Sequence, residues 1–441
     1  FLGKRINKVL FFRNRLAVLA GENVILSRPG TLGTPDFFIE SALTVAASDP
    51  IDISAASMFP SEIFDGIEIN AGLLVFSTNQ QFLLSSDDTV LNPDTAKLRS
   101  VSTYNYNKDV PPISLGTTIA YIDNSGKYSR FNEMANTARE GEPIVVEVSK
   151  SVPSLLPKDI DLLTNSRENN IVVAAKSSSS NCIVYGYKYL TVGEKRIQQA
   201  WFKWKFNNPV LYHFIINDNY YYLDTDNFLQ CIKLIQSDSD PSTTLDDVNY
   251  QLHVDNHTTV SSGNYSSSTN LTTFSGVSWL SNVTTPNYDL VIIDEGGTPG
   301  PTADQGRYAK CTVSGTSFTV PGDWQGVTLR IGYLYEYLIE FPRIYATKVE
   351  GERSVADVNS SLVVHRIKLH FGKIGLYETT LERVGKDDYT EVYESTIMDS
   401  YNASRAPYLE EYIKTIPIYE KNTNVDITLK SSHPAPATLR A

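Results

Sequence analysis

The sequence predicts an all-β protein: a β-propeller-like core, incomplete within these residues, then an inserted β- and loop-rich module, then a β-sandwich-like C-terminal domain. Three observations carry that expectation. Aromatic and β-branched residues are abundant, with 26 Tyr against 3 Met, and such side chains favour a pleated surface. Paired apolar runs joined by short polar turns recur through the first half of the chain at intervals of roughly 50 residues. Helical periodicity is nearly absent, and YLEEYIKT at 408–415 is the best short helix candidate.

The first pair of runs is RLAVLA and NVILSR, flanking Gly21-Glu22, where glycine supplies a turn conformation that other residues adopt under strain. Similar units lie at Leu16–Ser27, Leu73–Leu84, Ile119–Phe131, Ile171–Tyr187 and Phe214–Leu229. A repeat of all-β units at this period reads as propeller blades, one four-stranded sheet each, over residues 1–235. Leu16 and Ile25 are expected in the core of the first blade, so that an aspartate at either prevents folding. Beyond Ile235 the texture changes, and residues 258–278 are more than half Ser or Thr. Residues 236–326 therefore read as the insert, with short or loose strands. Strong strands return with VTLRIGYLYEYLIEF, SSLVVHRIKLHFG, GLYETTLERV and NVDITLK, which assign 327–441 to the sandwich-like domain.

The formal net charge is −12, which disfavours general binding to nucleic acid by counterion release. No Lys or Arg lies between Lys233 and Arg307, against nine acidic residues: Asp238, Asp240, Asp246, Asp247, Asp255, Asp289, Asp294, Glu295 and Asp304. These acids read as uncompensated. Cys182, Cys231 and Cys311 are odd in number and far apart, so buried structural thiols are expected rather than disulfides or a zinc site. No apolar run reaches the ~18 residues that span a membrane.

The chain carries no phosphate-binding loop, dinucleotide fingerprint, nucleophile elbow or HExxH. HVDNH would place His253, Asp255 and His257 on one face of a regular strand, where they could meet a cation; a polar loop is the simpler reading, and no metal, cofactor or catalytic residue is expected. Asn-x-Ser/Thr sequons at Asn256, Asn264, Asn270, Asn282, Asn359 and Asn402 follow mostly from the composition of the insert.

Four stretches in order resemble one family. FFRNRLAVLAGENVILSR at 11–28 and SDPIDISAAS at 48–57 come first; LTVGEKRIQQAWFKWKF at 190–206 and YLYEYLIEFPRIYATKVEGE at 333–352 follow. Together they resemble the tail tubular protein B, or nozzle, family of short-tailed bacteriophages. The resemblance implies a non-enzymatic virion protein at the distal end of the tail, a hexameric homo-oligomer that docks beneath the tail adaptor ring and helps hold the tail fibres. It also implies a channel and gate for double-stranded DNA in transit, without specific binding, and a possible tip built by the acidic insert. The family's longer N-terminal part and its Trp-Glu-Gly ending are absent here, so the gene product is expected to extend beyond this chain. A secreted propeller that binds or hydrolyses glycans is the alternative, and a receptor-binding insert on a virion protein is a third reading.

The motif residues read as mainly structural. Arg13, Asn14 and Arg15 lie where the first strand turns, with guanidiniums that hydrogen-bond loop carbonyls or an acidic neighbour, within the chain or across subunits. Gly21 and Asn23 frame the next turn. Asp49 caps a turn leading to Asp52 in a buried strand. Trp201 and Trp204, three apart on a strand, face opposite sides, one toward the core and the other toward a blade or subunit contact.

Overall fold

The computed structural model describes residues 3–30, 35–39, 41–57, 60–86, 91–135, 143–192, 195–235, 240, 243–245, 248, 251–283, 289–296, 305–350, 353–393 and 411–440. Two compact units divide the chain, Phe1–Ile235 and Gln236–Ala441.

Five antiparallel sheets follow one another in the first unit, each joining strands consecutive in sequence. The first holds β1 (Ile6–Phe12), β2 (Arg15–Ala20), β3 (Asn23–Leu26) and β4 (Ile51–Ser54). The second holds β5 (Ile63–Ile69), β6 (Gly72–Ser77), β7 (Gln81–Ser86) and β8 (Ala96–Ser102). The third holds β9 (Ile113–Ser114), β10 (Thr118–Asp123), β11 (Arg130–Ala135) and β12 (Ile144–Glu147). The fourth holds β13 (Leu162–Ser166), β14 (Ile171–Ala175), β15 (Ile183–Val192) and β16 (Lys195–Lys205). Among the described residues the fifth has three strands, β17 (Val210–Ile216), β18 (Asn219–Asp224) and β19 (Leu229–Lys233). The apolar pairs legible in the sequence are β2–β3, β6–β7, β10–β11, β14–β15 and β18–β19, the second and third strands of each sheet.

Strand alternation sends successive side chains into different cores. Leu73 and Val75 of β6 join Leu19, Val24 and Leu26 between the first and second sheets. Leu74 and Phe76, on the other face of β6, join Ile119 and Tyr121 of β10. Ala120 and Ile122 then face Val172 and Ala174 of β14, while Ile171, Val173 and Ala175 face Val210 and Tyr220. The middle sheets are thus buried on both faces, which explains continuous apolar runs where a one-sided strand would alternate. Leu16 departs from the expectation of burial, while Ile25 meets it. Leu16 is half-buried and Ile25 is buried, but neither joins the core between the first two sheets, which Ala17, Leu19, Val24 and Leu26 fill instead.

The second unit contains β20 (Asp255–Val260), β21 (Asn264–Ser266), β22 (Leu271–Phe274), β23 (Leu290–Gly296), β24 (Tyr308–Lys310), β25 (Thr312–Ser314), β26 (Ser317–Pro321), β27 (Thr328–Tyr333), β28 (Tyr337–Glu340), β29 (Ala346–Glu350), β30 (Arg353–Asp357), β31 (Val363–Ile374), β32 (Tyr377–Arg383), β33 (Tyr389–Tyr393), β34 (Tyr412–Lys421), β35 (Val425–Ser431) and β36 (Ala437–Leu439). Sheets β20-β27-β23-β24 and β21-β22-β26-β25 share one core, with Ile292, Leu329 and Ile331 against Phe274, Phe318 and Val320. Sheets β28-β35-β32-β33 and β34-β31-β36 share another, built on Phe371, Leu381, Ile416 and Leu429.

Two expectations change here. The Ser/Thr-rich stretch packs as a sandwich rather than loose strands, and β27, expected to open the C-terminal domain, pairs inside that sandwich with β20 and β23. The helix candidate at 408–415 lies partly outside the described residues, and its remainder enters strand β34, where Thr415 and Ile416 pair with Lys368 and Ile367. Alternate apolar residues there fill one sheet face, which overrides local helix propensity.

Candidate functional site

Phe12 pairs with Arg15 across a two-residue turn, and Arg13 and Asn14 both take left-handed conformations, φ 45° and 61°. That geometry matches the strand twist of a tight hairpin. It delivers Arg15 into the interior, 2% exposed. Its Nη1 donates to the carbonyls of Ser27 at 2.8 Å and Asp49 at 2.7 Å, and its Nη2 to those of Ala47 at 2.9 Å and Leu91 at 3.2 Å. Burial, then the like charge of Arg28, pull its pKa below the usual value, and Asp49 opposes them. A planar fork of donors suits four carbonyls arriving from separate segments. Among the described residues, Arg15 therefore ties its own sheet to the loops on either side.

Asp49 caps its turn as expected: Oδ2 accepts from the Ala46 N–H at 2.8 Å, and the Asp49 N–H donates to the Ala46 carbonyl at 2.9 Å. Gly21 sits at φ 61° in the next hairpin. There Asn23 donates to Asp52 at 2.7 Å and accepts from Lys4 at 2.8 Å. Arg15, Gly21, Asn23, Asp49 and Asp52 are thus drawn into one sheet, with Arg13 and Asn14 at its turn.

The two tryptophans lie elsewhere, on opposite faces of β16. Trp201 packs 4.8 Å from Tyr187 and edge-on to Phe131 at 5.7 Å. Trp204 meets Phe202 at 5.0 Å and Tyr220 at 5.4 Å. One serves the core between the third and fourth sheets, the other the core between the fourth and fifth.

Sequence reasoning missed a second arginine. Arg196 of β16 forms a two-pronged ion pair with buried Glu133 of β11, lies 4.6 Å from the Tyr189 ring and donates to the Tyr187 hydroxyl at 3.1 Å. Burial alone would lower its pKa, but bonding to Glu133 outweighs that and raises it. The pair joins residues 63 apart in sequence. No local pattern signals it, although the Arg196 side of the contact lies within a motif stretch.

Three acids of the acidic stretch, Asp289, Asp294 and Glu295, are compensated. Asp289 pairs with Lys310 at 2.6 Å, Asp294 with Arg307 at 3.5 Å and Glu295 with Arg330 at 2.5 Å. Arg307 also stacks 3.7 Å from the Trp324 ring. The cations come from just beyond the acidic stretch in sequence and reach it through sheet pairing. Asp240 is buried, while Asp238, Asp246, Asp247 and Asp304 lie outside the described residues.

HVDNH does not form a regular strand face. Asn256 turns to φ 44° and the ladder is bulged between Asp255 and Thr258, so the alternation that would converge His253, Asp255 and His257 is broken. Among the described residues no three His, Cys, Asp or Glu side chains gather as a metal site. Cys182 and Cys311 are half-buried, but Cys231 is exposed, a correction to the expectation of three buried thiols. It lies in β19, which pairs only with β18 among the described residues. Asn402 is outside the described residues.

A family model for the bacteriophage nozzle protein matches residues 1–441. Tail tubular protein gp12 of Escherichia phage T7 is 25% identical over 215 residues, 48% of this chain and 26% of that protein. The chain thus aligns with about a quarter of this relative's length. Among solved structures, Hsv2 of K. marxianus aligns at TM-score 0.32 and 10% identity, covering 52% of this chain and 64% of that one. Hsv2 of Kluyveromyces lactis aligns at 0.29 and 9%, covering 75% and 98%. Likenesses at that level carry no argument.

Proposed function

The chain belongs to the bacteriophage nozzle protein family and is a structural component of the virion tail, and from that premise we propose that it forms the wall of the distal tail tube and acts as a conduit and gate for genome ejection. In this reading six copies form a ring beneath the adaptor, with surfaces for the tail fibres. The observation that carries it is mechanical: successive sheets are locked by shared cores and by two arginines, Arg15 and Arg196, spent on cross-sheet and loop contacts. A wall that must hold while DNA passes needs such cross-ties. The net charge of −12 suits a passage that does not grip phosphate. Asp289, Asp294 and Glu295 are not assigned to its lining, because their charges are answered within the fold.

Electron microscopy of the complete gene product with its adaptor tests this. Six-fold rings below the adaptor are expected, together with filled heads and failed ejection when the gene is silenced. A protein that stays monomeric with its adaptor, or silenced phage that eject normally, would refute the proposal.

A further inference from the structure

Sheets β34-β31-β36 and β28-β35-β32-β33 each turn one face to a shared core, so their other faces look outward on opposite sides of the sandwich. Strand register says what those outward faces carry. On the first, Arg366 pairs with Pro417, Lys368 with Thr415 and His370 with Ile413, while Ile367, Leu369 and Ile416 between them enter the core. Arg366 and Lys368 are exposed, and exposed Lys421 continues the row at the end of β34. Glu411 reaches this side and is shared by His370 at 2.8 Å and Arg440 at 3.4 Å. Among the described residues Arg366, Lys368 and Lys421 hold no ion pair.

The opposite side has the opposite sign. There Glu378 pairs with Lys430 and Glu382 with Asp426 across the ladder, and Glu340 lies in the row between, beside Thr428. Lys430 is engaged by Glu336 at 2.9 Å, and Asp426 by Arg343 at 3.3 Å. Glu340 and Glu382 are exposed and hold no ion pair among the described residues.

Both sides also offer apolar surface. On the basic side β34 is bulged: Val364 pairs with Glu420 and Arg366 with Pro417, which leaves Ile418 and Tyr419 opposite His365. Ile418 takes the core, and Tyr419 is turned outward at φ 51°, 67% exposed, with the His365 ring edge-on at 5.6 Å. Bulges re-aim side chains in this way, and a presented tyrosine is a common anchor of protein contacts. Ile413 is exposed beside it, and Leu338 and Val392 are exposed on the acidic side.

We propose that the basic side of one copy's C-terminal sandwich docks on the acidic side of the next copy's, with Tyr419 and Ile413 supplying the apolar part of the contact. The occupant is a second copy because this chain itself carries the complementary charges, and matched potentials steer and orient such contacts. Nucleic acid would use the basic side alone and leave the acidic side without a role. A contact between two different faces is head-to-tail and repeats from copy to copy until it closes; it rests on the reading that copies of this chain form a ring.

The test uses two variants of the complete gene product, assembled with its adaptor at low salt and scored by native mass spectrometry and electron microscopy. Arg366→Glu with Lys368→Glu makes both sides acidic, and Glu340→Lys with Glu382→Lys makes both sides basic. All four sites are exposed, so both variants should melt as the wild type does. Each alone should need at least tenfold more protein to form rings, a defect that shrinks as salt rises. An equal mixture should form rings as readily as wild type, with the two variants alternating. Normal assembly of either variant alone, or a mixture no better than its components, would overturn the proposal while wild-type rings leave the ring itself standing. Wild-type protein without rings would remove both. A short DNA duplex bound by wild type and released by the first variant, with rings intact, would also overturn it and assign the basic side to phosphate.

Discussion

In the first unit β14, IVVAA, is buried at every position because cores lie against both of its faces. In the second, β35, VDITLKS, alternates between buried and more exposed positions, with Val425, Ile427 and Leu429 turned to the core. The comparison teaches that the number of covered faces sets how a strand is written. A strand packed twice loses its alternation and reads as an apolar run; a strand packed once keeps it and tolerates Ser, Thr and Lys on its other side. The Ser/Thr-rich stretch looked loose because its short strand β22 is packed once, through Phe274, against Phe318 and Val320 of its neighbour β26.

The largest expected effect tests that contrast directly. Leu73→Asp and Leu74→Asp are neighbours on opposite faces of β6, 0% and 1% exposed. Each should abolish soluble folding, since an unpaired buried carboxylate costs several kcal/mol, the scale of a whole domain's stability. In β35, Leu429→Asp should do the same, while Thr428→Lys should stay within about 1 kcal/mol of wild type. Soluble yield and melting curves decide, and a well-folded Leu74→Asp protein would break the two-faced account.

Arg15→Ala comes next. It strands four carbonyls, so at about 1 kcal/mol or more for each it should cost about 4 kcal/mol. Arg15→Lys, with fewer donors and no planar fork, should recover part of that in urea titrations. In the second unit, Arg330→Met leaves Glu295 without its partner and should cost about 3 kcal/mol. Glu295→Gln with Arg330→Met should recover much of the loss, because the pair is then removed together. Additive losses in that cycle would show that the ion pair does not couple the two strands.

The smallest effect appears in the acid limb of stability and places one histidine in each unit. His213 and His433 are buried, and burial pushes each imidazole down to about 3. The folded values lie below the ordinary 6.5, so the unfolded chain takes up protons first as pH falls. Their contribution is complete above pH 6.5 and shrinks toward pH 3, at about 1.4 kcal/mol per pH unit for each histidine. Between pH 6.5 and 5 each unit should lose about 2 kcal/mol on this account. His213→Gln should flatten the slope for amides of the first unit alone, and His433→Gln for the second, as read by hydrogen exchange at both pH values. Equal slopes in wild type and both variants would assign the acid sensitivity to carboxylates instead.

The sequence by itself determined the class of fold, the positions of the repeated hairpins and the family. Those features are local: turn residues such as Gly21 and Asn14, apolar runs of fixed length, and motifs whose residues lie close together along the chain. It also put Arg15 at the first hairpin turn and Asp49 at a turn leading to Asp52, but only the tertiary structure brought Arg15 to the Asp49 carbonyl. Only the tertiary structure decided which faces those strands bury. It put Leu19 and Val24 rather than Leu16 and Ile25 into the core between sheets, paired Asp289, Asp294 and Glu295 with Lys310, Arg307 and Arg330, and tied Glu133 to Arg196. It also drew β27 back into the preceding sandwich and turned 412–415 into strand. The reason is physical. Periodicity records how many sides of a strand are covered, but not by what, and a charge has no partner in sequence until sheet pairing brings distant residues within reach of it.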